Sequence, residues 1–166
     1  MKLKLSKKTY YTMGLLAAAL SLVQAVASFA GISMSLLDSA SFCLTGLMML
    51  FLASVHGTPA ADKRSLFCCF LLLVGSMFFN IPLLQIILIG LVYPAFAAFE
   101  KNRDERLSKQ FYAVCLGDFL WMGFRIVAVL GEVKAMMLPA NLAGLLAVCA
   151  RLWLMFSLYK RERDER

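Results

Sequence analysis

The sequence predicts an all-α integral membrane protein with six transmembrane helices in three hairpins, and two observations support this fold class. The first is composition: the 166 residues are 61% hydrophobic and only 16% charged, with a mean hydropathy of +0.78. A soluble domain of this length cannot bury so much apolar surface. The second is charge layout. Fourteen of the seventeen Lys and Arg fall in four short clusters separated by long apolar runs: residues 2–8, 63–64, 101–109 and 160–166.

The basic clusters predict the orientation of the chain in the bilayer. Lys and Arg in short loops stay on the cytoplasmic side, so all four clusters and both termini are expected in the cytoplasm. Each apolar block between two clusters must then cross the membrane an even number of times. The net charge of +7 is accounted for by these loop clusters, which are expected to face anionic lipid headgroups. The headgroups attract such segments by about 1 kcal/mol per basic residue. We therefore expect a multi-pass protein of the cell (inner) membrane, with the lipid bilayer as its partner and no nucleic acid.

Breaks inside the three apolar blocks place the individual spans. A span needs about 20 residues, and the first block divides at Gly31-Ile32-Ser33 into spans at about 10–31 and 33–55. The second block divides at Asn80 and Pro82, because the residue before a proline is pushed out of the α region. It gives spans at about 65–80 and 82–100, and the third block, with its outer turn at 131–134, gives 110–131 and 137–159. Residues 1–31 also resemble a secretory signal, with a Lys-rich start and an apolar middle; we interpret them as the first span.

Catalytic and metal-binding patterns are not found in the sequence. The five cysteines lie inside apolar runs without C-x-x-C spacing, and His56 is the only histidine. No G-x-S-x-G or H-E-x-x-H motif occurs. Asp38 and Asp118 are expected at different depths, which argues against an aspartyl dyad. We therefore predict no enzyme activity, no cofactor and no metal.

Two of the four ionisable residues inside the spans are predicted to form an ion pair. Asp118 follows Lys109 by nine residues, and Arg151 precedes Lys160 by nine. Each residue of a helix advances about 1.5 Å, so both side chains lie about 13 Å from the cytoplasmic end of neighbouring antiparallel helices. Charges are costly inside a membrane unless paired. The Asp118–Arg151 pair is interpreted mainly as a structural contact that fixes helix register.

A second group of polar residues is predicted nearer the outer face. The same count places Gln24, Gln85, Arg125 and Asn141 about 22 to 28 Å from the cytoplasmic side. Asp38 lies at the outer rim of this layer, and Trp121 one turn nearer the cytoplasm than Arg125. The layer could be a solute site open to the outside or simply interhelical hydrogen bonding. The candidate solute-binding residues are Asp38, Gln85, Trp121, Arg125 and Asn141.

From residue 91 onward the chain resembles one repeat of the SWEET/SemiSWEET sugar transporters and the wider PQ-loop superfamily. The resemblance rests on Leu91-Val92-Tyr93-Pro94, the charged loop 100–108, Leu120-Trp121 and Ala140-Asn141, which occur in the family's order. It implies a helix-ending, hinge-like proline at Pro94. It also implies that Trp121 and Asn141 contact a sugar.

Two functions from different classes remain open. The first is transport of a small polar solute. Aromatic stacking by Trp121 and amide hydrogen bonds from Asn141 and Gln85 suit a sugar-like ligand, whereas Arg125 favours an anionic one. The second is a non-transporting subunit, sensor or assembly factor of a larger membrane complex, favoured by short loops and Gly/Ala-rich helix faces. In either case we expect a homo-oligomer or a membrane protein partner.

Overall fold

The computed structural model describes residues 7–32, 34–55, 59–78 and 81–164, and these ranges contain helices and no strand. The six α-helices are α1 (Lys7–Phe29), α2 (Ser35–Ser54), α3 (Ala60–Phe78), α4 (Pro82–Arg103), α5 (Ser108–Leu130) and α6 (Met137–Asp164). Short 3-10 turns at Glu105–Leu107 and Lys134–Met136 precede α5 and α6. The all-α prediction is confirmed, and each predicted span overlaps one helix.

Five of these helices, all except α3, are long and apolar enough to cross a membrane by length and composition. The α3 helix differs because Asp62, Lys63 and Arg64 occupy its first two turns. The uncharged part that follows, residues 65–78, is about 21 Å long. This is shorter than the roughly 30 Å hydrocarbon core of a typical bilayer.

The breaks predicted between the helices lie close to the helix ends. Gly31 follows α1 with a φ of 72°, a left-handed conformation that glycine adopts without steric cost. Pro82 is the first residue of α4, a position where its missing N–H has no helical partner to lose. Ser33, Asn80 and His56, and most of the basic cluster at 2–8, lie outside the described residues.

The six helices form a closed ring in chain order. Each packs against the helix before it and the helix after it, and α1 closes the ring against α6. The three predicted hairpins are therefore present as neighbouring pairs, and they are joined by further contacts between α2 and α3, α4 and α5, and α6 and α1. In such a ring α5 lies across from α2.

The packed core fills only one end of this ring. It is made from the beginning of α1, α3 and α5 and the end of α2, α4 and α6, which are the helix ends next to the basic clusters. Its fully buried large side chains include Tyr11, Met48, Leu66, Phe96, Val114, Leu154 and Leu158. We call this region the packed end. Many apolar side chains on the outside of the ring are exposed, among them Leu71, Leu116 and Leu146, as expected of a surface that faces lipid.

Pro94 lies inside α4 and does not end it. The helix continues to Arg103, so the helix-ending position implied by the resemblance is corrected. The span predicted at about 82–100 lies within this helix. The proline removes the backbone hydrogen bond that a residue at this place would donate to the carbonyl of Gly90. Surrounding burial keeps the helix continuous: Tyr93, Pro94 and Phe96 are all buried. A hinge role for Pro94 stays a prediction.

At Gly117 the backbone of α5 approaches the backbone of α6 closely. A Cβ atom added at Gly117 would lie 2.7 Å from Cα and 2.9 Å from the backbone N of Ala147. Small residues allow helix backbones to approach in this way in membrane proteins. Gly117 is therefore required by packing, and it directly precedes Asp118.

We predict that Gly117→Ala destabilises the protein because the methyl group must push α5 and α6 apart; overpacking of this kind typically costs about 1–3 kcal/mol. Thermal unfolding of the detergent-purified protein measures the effect. Gly123→Ala on the same helix is the matched control, since a Cβ there meets nothing within 4 Å and alanine favours the helix. Equal stability of the two variants would contradict the predicted contact.

Candidate functional site

A cavity of about 330 Å³ lies at the end of the ring opposite the packed end. Ser28, in the last turn of α1, lines it and is exposed, so the cavity reaches the surface there. The other end of the cavity reaches Arg151 on α6. Its volume lies at the lower end of the range of small-molecule sites, about 300–1,000 Å³. The lining residues are Ser21, Gln24, Ala25, Ser28, Asp38, Phe42, Ile89, Trp121, Arg125, Asn141, Gly144, Ala147, Val148 and Arg151.

The structure brings four of the five candidate solute-binding residues to this cavity. Asp38 comes from α2, Trp121 and Arg125 from α5, and Asn141 from α6. Gln85 is half-buried and is not part of the lining. The α4 helix contributes Ile89 instead, one turn further along the chain.

Arg125 is a cation whose hydrogen-bonding capacity is mostly unused. Its Nη1 lies 3.4 Å from the Met137 sulfur, a weak acceptor. Its Nε is buried without a hydrogen-bond partner. A guanidinium carries five N–H donors in a planar fork that matches a carboxylate or a phosphate. The side chain is therefore free to bind an anionic group in the cavity.

The acceptors in the cavity come from the first two helices. The side-chain oxygen of Gln24 on α1 is buried without a hydrogen-bond partner. The Asp38 carboxylate on α2 is half-buried, and none of the described residues forms an ion pair with it. Because α2 lies across the ring from α5, Asp38 and Arg125 approach the cavity from opposite helices.

Trp121 gives the cavity an aromatic wall. Its ring lies against α6 at Gly144, where an added Cβ would be 3.0 Å from the indole Cδ1. Glycine at position 144 thus leaves room for the indole between α5 and α6. Phe42 from α2 and Ile89 from α4 add further apolar lining, so a ligand meets both apolar and polar surface.

The deep end of the cavity is formed by the Asp118–Arg151 pair. Arg151 Nη2 donates a hydrogen bond to Asp118 Oδ1, and the Asp118 side chain is fully buried. The Arg151 guanidinium also stacks over the Tyr93 ring of α4 at 4.4 Å from its centroid, a cation–π contact. The Tyr93 hydroxyl lies 3.1 Å from the Thr45 hydroxyl of α2. The contact predicted from sequence depth is thus present, and it connects four helices.

Tyr93 is a residue that the sequence analysis missed. It precedes Lys101 by eight residues, which by the same count places it about 12 Å from the basic end, level with Asp118 and Arg151. The depth count could therefore have found it, had uncharged aromatic residues been included.

A second buried polar cluster, also missed, lies at the packed end. Glu100 is fully buried, although the sequence placed it in a cytoplasmic loop. Its Oε1 accepts a hydrogen bond of 2.8 Å from the Tyr11 hydroxyl, and its Oε2 lies 3.4 Å from Arg161 Nη2. Arg161 also approaches Asp104 at 3.9 Å. These contacts tie α1, α4 and α6 together at the end opposite the cavity.

Within the described residues, no group of three or more His, Cys, Asp or Glu could hold a metal ion. The described cysteines 43, 68, 69, 115 and 149 are all free thiols. The arrangement of the cavity is suited to hydrogen bonding, charge pairing and aromatic contact with a small solute.

We predict that removing either partner of the Asp118–Arg151 pair destabilises the protein by about 3–5 kcal/mol, because the other charge stays buried and unpaired. Asp118→Leu and Arg151→Met should each lower the unfolding midpoint of the purified protein, whereas the double variant should be more stable than either single variant. Glu105→Ala, at an exposed acidic residue, is the control. If the single variants are as stable as this control, the Asp118–Arg151 pair does not stabilise the fold.

Comparison of the chain with protein-family models, with curated proteins and with solved structures found no match.

Proposed function

We propose that all six helices cross the cell (inner) membrane, with both termini and the packed end in the cytoplasm. Five helices have the required length and apolar character. The basic residues at 63–64, 101–109 and 160–163 all lie at the packed end of the ring. The positive-inside rule places that end in the cytoplasm, and the cavity then opens on the other side of the membrane.

The short helix α3 crosses in the same proposal. It packs between α2 and α4, and its charged first turn belongs to the basic end. A span shorter than the bilayer core is accommodated by local thinning or by snorkelling of flanking charged residues, at a modest cost. The side chains of Lys63 and Arg64 are exposed, as snorkelling requires.

We infer that the cavity binds a small polar solute and that the protein transports it across the membrane. The observation that carries this function is the convergence of Asp38, Trp121, Arg125 and Asn141 on one cavity. A structural hydrogen-bonding layer would satisfy its polar groups internally. Here, among the described residues, the Arg125 guanidinium has only the Met137 sulfur as a partner and Asp38 forms no ion pair, which supports a site with a cation and an anion left for a ligand.

The closed packed end fits one step of an alternating-access cycle. The polar cluster of Tyr11, Glu100 and Arg161 joins three helices there, and breaking it is one way to open a path to the cytoplasm. Association with a second copy or with another membrane protein is part of the proposal, supported by close helix packing at small residues such as Gly117 and Gly144. Gln85, one turn outside the lining, is not assigned a contact with the solute.

We predict that the purified protein in liposomes catalyses solute flux and that Asn141→Ala lowers it at least tenfold, because a ligand loses an amide partner in the cavity lining. The loss of one hydrogen bond to a charged group is worth about 1.5–3 kcal/mol. The measurement is uptake of radiolabelled solutes into preloaded proteoliposomes.

Gln110→Ala is the control for this experiment. Gln110 is also a half-buried amide, but it lies at the packed end, where its Nε2 donates to Ser157 Oγ at 3.3 Å. Flux should be unchanged in this variant. A stable co-purifying partner together with no flux of any solute would favour the non-transporting subunit over the transporter.

A further inference from the structure

The cavity carries two opposite charges that do not neutralise each other. Asp38 and Arg125 both line it, yet no ion pair joins them within the part of the chain that the structure describes. Two opposite charges in one partly desolvated space attract each other strongly. Their separation on opposite helices of the ring therefore leaves a cavity with one cationic side and one anionic side.

Some polar atoms of the residues around the cavity are buried without a hydrogen-bond partner among the described residues. On the cationic side, Arg125 Nε is a buried donor without a partner, and Arg151 Nε at the deep end is another. On the anionic side, Gln24 Oε1 is a buried acceptor without a partner. The unpaired donor of Arg125 and the unpaired acceptor of Gln24 agree in sign with the two charges, whereas the deep end holds an unpaired donor on Arg151 and an unpaired acceptor, Asp118 Oδ2.

The Asp118–Arg151 pair does not neutralise the charges of Asp38 and Arg125 in the cavity. Asp118 is fully buried behind Arg151 and accepts a hydrogen bond from it, so this acid compensates Arg151 and not Arg125. Among the described residues that line the cavity, the charges without an ion-pair partner are therefore the Arg125 cation and the Asp38 anion.

On this basis we propose that the solute is a small zwitterion of the amino-acid type, an inference that rests on the proposed solute-binding function. Its carboxylate binds Arg125 and the Asn141 amide, and its ammonium group binds Asp38 and Gln24. The rest of the solute contacts Trp121. A zwitterion satisfies both sides of the cavity at once, whereas a sugar leaves both charges without a counter-ion and a simple anion leaves Asp38 without one.

The volume of the cavity agrees with this class of ligand. At about 330 Å³ it has room for one amino acid. The aromatic and aliphatic lining from Trp121, Phe42 and Ile89 suits an uncharged side chain.

The test uses four probes with the purified full-length protein: leucine, 3-methylbutylamine, which lacks the carboxylate, 4-methylpentanoate, which lacks the ammonium group, and sorbitol as a neutral polyol. Binding is measured by the ligand-dependent shift of thermal unfolding and flux by uptake into proteoliposomes. We expect leucine to bind at least tenfold more tightly than either singly charged analogue, and sorbitol to bind more weakly still.

Two substitutions identify which side of the cavity binds which group. Asp38→Asn should weaken leucine binding at least tenfold and change 4-methylpentanoate binding less than twofold. Arg125→Gln should weaken leucine binding at least tenfold and change 3-methylbutylamine binding less than twofold. The controls are Glu132→Gln and Arg106→Gln, which alter exposed charges outside the cavity and should leave all four affinities unchanged.

The outcomes separate this inference from the proposed function. Flux of sorbitol or 4-methylpentanoate at least equal to that of leucine overturns the zwitterion and leaves solute transport standing. Leucine binding that is insensitive to Asp38→Asn also overturns it. Absence of binding and of flux for all four probes overturns the inference and counts against the proposed function as well.

Discussion

The Asp118–Arg151 contact is the interaction on which the arrangement of this protein depends. Each charge alone would be expensive inside an apolar helix bundle, and their pairing requires α5 and α6 to keep one register. Gly117, the residue before Asp118, allows the close approach of the two backbones at Ala147. The guanidinium extends the contact to α4 through the Tyr93 ring, and Tyr93 extends it to α2 through Thr45.

This contact also lies at the boundary between two unlike halves of the ring. Towards the basic clusters, large apolar side chains fill the space between the helices, and the buried Glu100 is satisfied by Tyr11 and Arg161. Towards the other end, Arg151 faces a cavity whose polar groups are incompletely satisfied. A site that binds a ligand needs charges without partners, such as Arg125 and Asp38, and a closed end needs the dense apolar packing that the opposite half has.

Counting residues from the basic clusters predicted well how far along its helix each polar residue lies. It predicted poorly which way the side chain faces. The level of Asp118 and Arg151, and the gathering of Asp38, Arg125 and Asn141, follow from a rise of about 1.5 Å per residue, because charged residues mark each helix end in the sequence. The same count could not exclude Gln85, since its participation depends on the rotation of α4 about its axis, which only packing determines. The sequence also misplaced Glu100, because an acidic residue next to Lys101 is typical of a charged loop. Its burial depends on contacts with Tyr11 and Arg161, which are distant in the sequence. The span predicted at 82–100 already runs past Pro94, against the helix end that the resemblance implies. The burial of Tyr93, Pro94 and Phe96 explains why the helix stays continuous there despite the proline.

The central claim is that the packed end faces the cytoplasm and the cavity faces the other side of the membrane. Labelling of single cysteines with a membrane-impermeant maleimide, in a variant whose five native cysteines are replaced, tests it most directly. In intact cells the account predicts labelling of Asn141→Cys in the cavity and no labelling of Arg106→Cys at the packed end, with Leu154→Cys, fully buried, unlabelled from either side. Inside-out vesicles should label Arg106→Cys. Labelling of Arg106→Cys in intact cells, or complete protection of Asn141→Cys there, would contradict the orientation and the accessible cavity together.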